Sequence, residues 1–363
     1  MIEKGRISPL QLAIFMHPTI LATAALAVPS ITMNTAGRDM WIVPIVSSVI
    51  GLVIIFVMCK LHDRFKGKTF IEYCELVLGT VLGRMLAAFY LFSFLYTNGI
   101  VIREYGEFIA TTFLLHTPMV FVISSLMIVC AYALHQGVEV WVRTSQLLIP
   151  AALVIIIFML IIMVPDMNAK EMFPMLEYGP MPVLRSSLVL SSWYSQYFIV
   201  SIFLPYLVKK SISAFKWLLI SLLTVLLTML CINLAVLYIF GNVNRGFNYP
   251  FLIAVRYVSL SDFIEHIESL LMAAWLVAIF IKIMVVYYAA SLGTAQLLRL
   301  KDYRFMIAPI GLLMILFSLW CASDFEDLRN LLGTSVPMLS LLTQVFIPVL
   351  MLGIAAARGA RAS

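Results

Sequence analysis

Residues 10–33 read LQLAIFMHPTILATAALAVPSITM, a hydrophobic stretch long enough to cross a lipid bilayer. Within it, residues 23–30 (TAALAVPS) combine small side chains with Pro29, where an uninterrupted membrane helix would prefer larger apolar residues. Lipid tolerates unpaired backbone groups only where they face protein or a wet cavity, so a break inside a membrane helix indicates a binding site. The sequence therefore predicts that this first span is discontinuous near Thr23.

The composition is that of a membrane protein. Of 363 residues, 63% are hydrophobic and 12% are charged, and the mean hydropathy is +1.04, whereas soluble domains are about 45–50% apolar. We predict an all-α integral membrane protein with a single membrane domain, residues 1–363, and no soluble domain. Its ten predicted spans, each near the roughly 20 apolar residues that a crossing needs, are Leu10–Met33, Trp41–Cys59, Val81–Ile102, Pro118–Leu134, Leu147–Val164, Leu188–Val208, Trp217–Phe240, Leu270–Ala290, Met306–Cys321 and Val336–Ala357.

The charged residues are divided unevenly between the two sides of the membrane. If both termini are cytoplasmic, 16 of the 24 basic residues lie on the cytoplasmic side, seven lie outside, and Lys282 lies within a span. Of the 18 acidic residues, six lie inside and 12 outside. Because basic loops stay cytoplasmic, we predict that the N-terminus and C-terminus are both cytoplasmic. The basic loops also suit contacts with membrane lipids.

Ten spans divide into two sets of five, and an odd number per set makes the second set enter the membrane from the opposite side. We predict two inverted repeats, residues 10–164 and 188–357. Span 6 should then echo span 1, and it does contain a polar interruption, residues 191–197 (SSWYSQY), ahead of Pro205. Two interrupted spans at corresponding positions are typical of secondary transporters with a central site. Helices 1 and 6 are therefore both predicted to be discontinuous.

Three loops carry signals of their own. Residues 68–78 have the apolar spacing of a helix and are predicted to lie along the cytoplasmic interface. Residues 168–182 contain three prolines and should be irregular. The segment 248–268 is predicted to form an outer helix-turn-helix with Ser261 as an N-cap.

Lys282 is the only basic residue deep within a predicted span. A charge inside the membrane is a functional hypothesis by default. In one interpretation its amine takes the place of a coupling cation and bonds to unwound carbonyls near Ala24. In the other it reaches an interface or ties two helices together. The sequence does not assign its charge state.

Several polar or small residues are candidates for binding a small ligand. In span 1 the small side chains would let a ligand's carboxylate and amine reach freed backbone groups, although small residues also serve close helix packing. In span 6 aromatic and amide side chains suit a zwitterion, although they could also satisfy one another. The predicted ligand-binding residues are Thr23, Ala24, Ala25, Leu26, Tyr96, Asn98, Trp193, Tyr194, Ser195, Gln196 and Tyr287.

No pattern for covalent chemistry is present in the sequence. The five histidines are scattered, no nucleophile elbow or phosphate loop occurs, and the predicted spans hold no paired carboxylates. The five cysteines lack metal-ligand spacing, and no basic module for nucleic acid is present. We predict no catalytic residues, no enzyme activity, no metal, no cofactor and no nucleic-acid partner.

A family resemblance rests on short motifs spread along the chain: GRIS (5–8), LAVP (26–29), AGRDMW (36–41), FIK (280–282), Gln296, KDYR (301–304) and Pro309. With these motifs the whole chain resembles the B subunits of bacterial spore germination receptors, within the amino acid, polyamine and organocation transporter superfamily. The resemblance implies a ten-span inverted-repeat fold in the spore inner membrane, with an A subunit and a lipoprotein C subunit as partners. Relatives commonly carry glycine in the span 1 break, where this chain has Ala24 and Ala25.

Three functions follow as hypotheses. The first is a receptor subunit that binds a small nutrient, such as an amino acid, and signals to partner subunits. The second is a proton-coupled amino acid permease, since no acidic residue lies deep in a predicted span to bind sodium. The third is a purely structural membrane subunit. The family resemblance favours the receptor.

Overall fold

The computed structural model describes residues 5–208, 211–241, 246–257 and 267–359. These residues are helical apart from connecting loops and one isolated parallel β-bridge between Ile7 and Leu207. The predicted all-α fold is confirmed. The α-helices are α1 (Pro9–Ala36), α2 (Val43–Arg64), α3 (Phe70–Leu78), α4 (Thr80–Thr112), α5 (Met119–His135), α6 (Val138–Met163), α7 (Met181–Tyr194), α8 (Val200–Phe203), α9 (Ser211–Phe240), α10 (Pro250–Tyr257), α11 (Glu268–Leu297), α12 (Ile307–Trp320), α13 (Phe325–Gly333), α14 (Ser335–Leu341) and α15 (Ile347–Ala357).

In the described part of the chain, nine of the ten predicted spans correspond to helices that are long and apolar enough to cross a membrane. The remaining one, α5, has 17 residues, at the short end of the range for a crossing. Its last turn lies beside the start of α12, where Arg304 Nε donates to the His135 carbonyl at 3.0 Å. The other end of α12 lies beside α4, where Arg103 donates to the Ser323 carbonyl at 3.3 Å. Since α5 follows α4 after a short loop, α5 runs between the same two sides as α12. The protein is an integral, multi-pass membrane protein.

Span 1 is one continuous α-helix, so the predicted break near Thr23 is wrong. The helix begins with a capping box in which the Ser8 hydroxyl accepts from Gln11 N and the Gln11 amide oxygen accepts from Ser8 N. It continues through Pro29 to Ala36. Alanine favours helix by about 1 kcal/mol over glycine, so Ala24 and Ala25 hold a conformation that glycines would loosen.

Span 6 is interrupted where the sequence predicts it. Helix α7 ends at Tyr194, and 3-10 turns at Ser195–Ile199 and Leu204–Tyr206 flank the four-residue α8. Span 10 is also irregular, because a π-helical turn at Leu342–Phe346 separates α14 from α15. Such bulges recur at functional sites. The 3-10 turn at Ser195–Ile199 and the π-helical turn at Leu342–Phe346 pack on each other.

The packing of the spans has a two-fold pattern. Span 1 packs on span 7 as span 6 packs on span 2, and span 1 packs on span 5 as span 6 packs on span 10. Inverted repeats of five spans produce this pairing. The repeat limits, 10–164 and 188–357, stay a prediction.

The structure describes all or part of the three loop segments for which the sequence predicts a conformation. The interfacial helix is present as α3, which buries five of its nine residues and packs against α4. The segment 168–182 is irregular apart from a turn at Ala169–Met172 and the start of α7, as predicted. Helix α10 forms part of the outer segment, whereas the predicted cap at Ser261 lies outside the described residues.

The contact between α3 and α4 depends on Gly83. A Cβ at this position would lie 2.5 Å from the Cys74 carbonyl oxygen and closer still to Glu75 Cα. We expect Gly83→Ala to lower the free energy of unfolding by about 1–3 kcal/mol, because the helices must separate. Thermal unfolding of purified protein in nanodiscs measures this. The control is Gly353→Ala in α15, where no atom lies within 4 Å of the added Cβ; equal shifts for the two variants would contradict the prediction.

Candidate functional site

The Thr23 hydroxyl is a meeting point for three spans. It lies in the middle of α1, 2% exposed, and accepts two hydrogen bonds, from Trp193 Nε1 at 2.9 Å and from Lys282 Nζ at 2.7 Å. A hydroxyl has two acceptor lone pairs, so both donors are satisfied by one atom. Spans 1, 6 and 8 are thereby joined where the sequence predicted a broken helix.

The partner of Lys282 differs from the prediction. In one of the two interpretations its amine bonds to unwound carbonyls near Ala24, but α1 remains helical and the amine bonds to a side-chain hydroxyl of that helix, so it ties two helices together as in the other interpretation. A carbonyl is used nearby, since Trp275 Nε1 donates to the Ala22 oxygen at 2.6 Å. The polar groups around the middle of α1 are therefore satisfied by side chains without unwinding.

A small cavity, mostly apolar but with polar side chains in its lining, lies next to Lys282. Its volume is about 20 Å³, which is room for roughly one water. The site is therefore closed in this conformation, and a nutrient would need it to open. The residues lining it come from spans 1, 3, 6, 8 and 10, namely Thr19, Phe94, Thr97, Gln196, Phe198, Ile199, Lys282, Val286 and Gln344.

Of five predicted ligand-binding residues in spans 1 and 6, one lines this cavity and four do not. Gln196 lines the cavity directly. Ser195 lies one step away, with its hydroxyl 3.0 Å from the Gln344 amide oxygen. Ala25 and Leu26 line a separate apolar cavity of about 40 Å³. Ala24 is fully buried in the core.

Four other predicted residues do not line this cavity, and two of them, Asn98 and Tyr287, bond to neighbouring helices. The Asn98 amide nitrogen lies 3.4 Å from the Ile283 carbonyl and 3.1 Å from Met314 Sδ. The Tyr287 hydroxyl donates to the carbonyl of Ile307. The other two are Tyr194, which packs on Gly51 of α2, and Tyr96, which is half-buried and within electrostatic range of Cys321 and Asp327.

Glu104 is a buried charge that the sequence interpretation placed outside the membrane. Predicted span 3 ended at Ile102, but α4 continues to Thr112 and carries Glu104 into the protein interior, 4% exposed. It interacts electrostatically with Lys282, without a direct salt bridge. The statement that no acidic residue lies deep in a span was therefore wrong. The signal was available, because an ammonium inside the membrane calls for a counter-charge.

A buried salt bridge lies beside Glu104 on the same helix. Arg103 and Glu107, spaced i, i+4, form this salt bridge, which is 2.8 Å long, with side chains 6% and 12% exposed. Lys282 is consequently not the only buried basic residue. Within the described ranges, no three His, Cys, Asp or Glu side chains are grouped as a metal site requires.

Three polar residues of the cavity, Thr19, Thr97 and Gln344, are not among the predicted site residues. Thr19 lies one helical turn before Thr23, so their i, i+4 spacing was a usable signal. Gln344 was an amide in an otherwise apolar span, but only the π-helical turn aims it at span 6.

The double acceptor role of Thr23 gives a direct test. Thr23→Val keeps the shape but leaves the Trp193 and Lys282 donors unpaired, so we expect it to lower the free energy of unfolding by about 2–4 kcal/mol. Thr23→Ser keeps the hydroxyl and should cost less than half as much. Thermal unfolding in nanodiscs compares the two variants with the parent. If Thr23→Val and Thr23→Ser behaved alike, the methyl group and not the hydroxyl would be what matters.

Comparison with known proteins adds to this geometry. Residues 6–326 match a family model described as spore germination protein. The chain is 28% identical to spore germination protein KB of Bacillus subtilis (strain 168), over 90% of this chain and 88% of that protein. It is 26% identical to spore germination protein YndE of the same organism, over 96% of each chain.

A solved structure shows the same fold. MHP1, a nucleobase-cation-symport-1 family transporter solved in a closed conformation with bromovinylhydantoin bound, superposes with a TM-score of 0.67. The alignment covers 96% of this chain and 78% of that one at 14% identity, which supports the fold alone. With the family match over residues 6–326, the conclusion is that this chain belongs to the spore germination protein family, on a transporter-type membrane fold.

Proposed function

We propose that this protein is the membrane subunit of a spore nutrient germinant receptor, which binds a small nutrient, an amino acid in the first instance, and signals to partner subunits. Family membership supports the role in germination. The observation that supports the binding role is the small cavity, lined by apolar walls and by five polar side chains, beside the bonds that join Thr23, Trp193 and Lys282.

The cavity offers the chemistry that an amino acid needs. The Lys282 amine has three donors and gives one to Thr23, so it retains donors for a ligand carboxylate. Gln196 and Gln344 add amide groups, and Thr97 adds a hydroxyl. The apolar walls, Phe94 and Phe198 among them, suit a short aliphatic side chain.

Opening the cavity would move span 6, whose end is hydrogen-bonded to the residues before α1. A parallel β-bridge joins the residues before α1 to the end of span 6: Ile7 N donates to the Tyr206 carbonyl at 3.1 Å, and Val208 N donates to the Ile7 carbonyl at 3.0 Å. A ligand that displaces span 6 near Gln196 would therefore also displace the start of α1. This is a route by which binding could reach the A subunit and the lipoprotein C subunit, the partners that we propose.

Replacement of Gln196 tests the binding role. We expect Gln196→Ala to raise the nutrient concentration that gives half-maximal germination by about 5-fold or more, since one buried hydrogen bond is worth roughly 1 kcal/mol. Germination of spores over a panel of amino acids measures this, with protein accumulation checked by immunoblot. The control is Gln136→Ala, an exposed amide after α5. An unchanged response would point to a purely structural subunit.

A permease remains the second candidate, because the fold is shared with a transporter and Glu104 supplies a buried carboxylate that could carry a proton. Purified protein in liposomes separates the two. Uptake of labelled amino acid under a proton gradient would favour the permease, whereas ligand binding without uptake would favour the receptor.

We also propose that both termini are cytoplasmic, as the excess of basic residues on that side favours. Alkaline phosphatase inserted after Glu177, in the exposed loop before α7, should then be active in bacterial cells. The matched insertion after Lys66, in the exposed loop after α2, should be inactive. The opposite pattern would reverse the orientation.

A further inference from the structure

A second cavity lies apart from the one beside Lys282, at the end of α1 that carries Ser30, and its largely apolar wall includes four polar or charged side chains that matter here. Its volume is about 30 Å³. Four elements enclose it: α1 contributes Ser30, α4 contributes Glu104, the residue before α10 is Tyr249, and α13 contributes Arg329. Unlike the cavity beside Lys282, it is covered by two short elements, α10 and α13, rather than by spans alone.

Two polar atoms at this cavity have no hydrogen-bond partner among the described residues. One is Glu104 Oε1, on a side chain that is 96% buried, and the other is the Tyr249 hydroxyl. Leaving a buried polar group unpaired costs about 1–3 kcal/mol. Burial, together with Glu104 and Glu107 nearby, raises the pKa of Tyr249, so the phenol stays neutral, and its oxygen can accept a hydrogen bond from a cation. Two unsatisfied groups facing one cavity indicate that a ligand completes them.

The positively charged side chain of Arg329 lines the same cavity as Glu104. Arg329 makes one long contact, 3.5 Å from its Nη2 to the Ser30 hydroxyl, and forms no salt bridge within the described residues. Arginine can bind a carboxylate with two parallel hydrogen bonds. The cavity therefore presents an acceptor carboxylate on one wall and a guanidinium with spare donors on another.

We propose that this cavity is a recognition site for a small zwitterion, with its ammonium on Glu104 and Tyr249 and its carboxylate on Arg329 and Ser30. The ligand class rests on the proposed function, but the site is separate from the cavity beside Lys282. In the closed form the cavity holds roughly one water. Entry requires α13 and the start of α10 to move apart, which displaces no complete span.

The test uses the full chain in nanodiscs. Glycine and the other 19 common amino acids are screened by thermal shift, and the tightest binder is titrated together with its amide and its deaminated analogue. Tyr249→Phe removes only the unpartnered hydroxyl, so the fold should be kept, and we expect affinity to fall about 5-fold. Arg329→Gln should weaken the amino acid at least 10-fold and remove its advantage over the amide.

Matched controls are Tyr257→Phe in α10, whose side chain is 64% exposed, and the exposed Arg185→Gln in α7. Both should bind as the parent does. The proposal is overturned if no amino acid binds, or if Tyr249→Phe and Arg329→Gln bind like their controls. If binding is instead lost only in Gln196→Ala, the ligand occupies the cavity beside Lys282. The proposed function would then stand without this second site. Loss of binding only in Gln196→Ala is also the result expected if the cavity at Glu104 and Arg329 holds nothing but water.

Discussion

The hydroxyl of Thr23 holds the centre of this protein together. Two donors from different spans, the Trp193 indole and the Lys282 amine, converge on one oxygen in the protein interior. No bulk water is there to satisfy them, so spans 6 and 8 must keep positions relative to α1 in which both donors reach this atom. The interruption of span 6 and the cavity next to it both lie within a few residues of these bonds.

Buried charge imposes the second constraint. Lys282 on span 8 and Glu104 on span 3 are both almost fully buried, and each lowers the electrostatic cost of the other. Arg103 and Glu107 balance each other one turn away. Charged groups inside a membrane protein persist where they serve a pathway or a site. Here Lys282 lines one of the two proposed cavities and Glu104 lines the other.

Part of the site was predictable, and part was not. The polar run at residues 191–197 signalled the interruption of span 6, because polar side chains inside an apolar span need a protein partner. The break of span 1 was wrong, since a proline and small side chains permit unwinding without requiring it. Glu104 was missed because hydropathy locates the apolar part of a helix, and α4 continues ten residues past Ile102.

The sequence by itself determined the membrane-protein class, the all-α fold and the family. These follow from composition and from the thickness of a bilayer, which act on each segment separately. Only the tertiary structure decided which polar residues meet. Asn98 and Tyr287 turn to neighbouring helices, whereas Thr23, Trp193 and Lys282 converge. The reason is that hydrogen-bond partners are chosen by the rotation of each helix about its own axis, and that rotation is set by packing between spans distant in sequence.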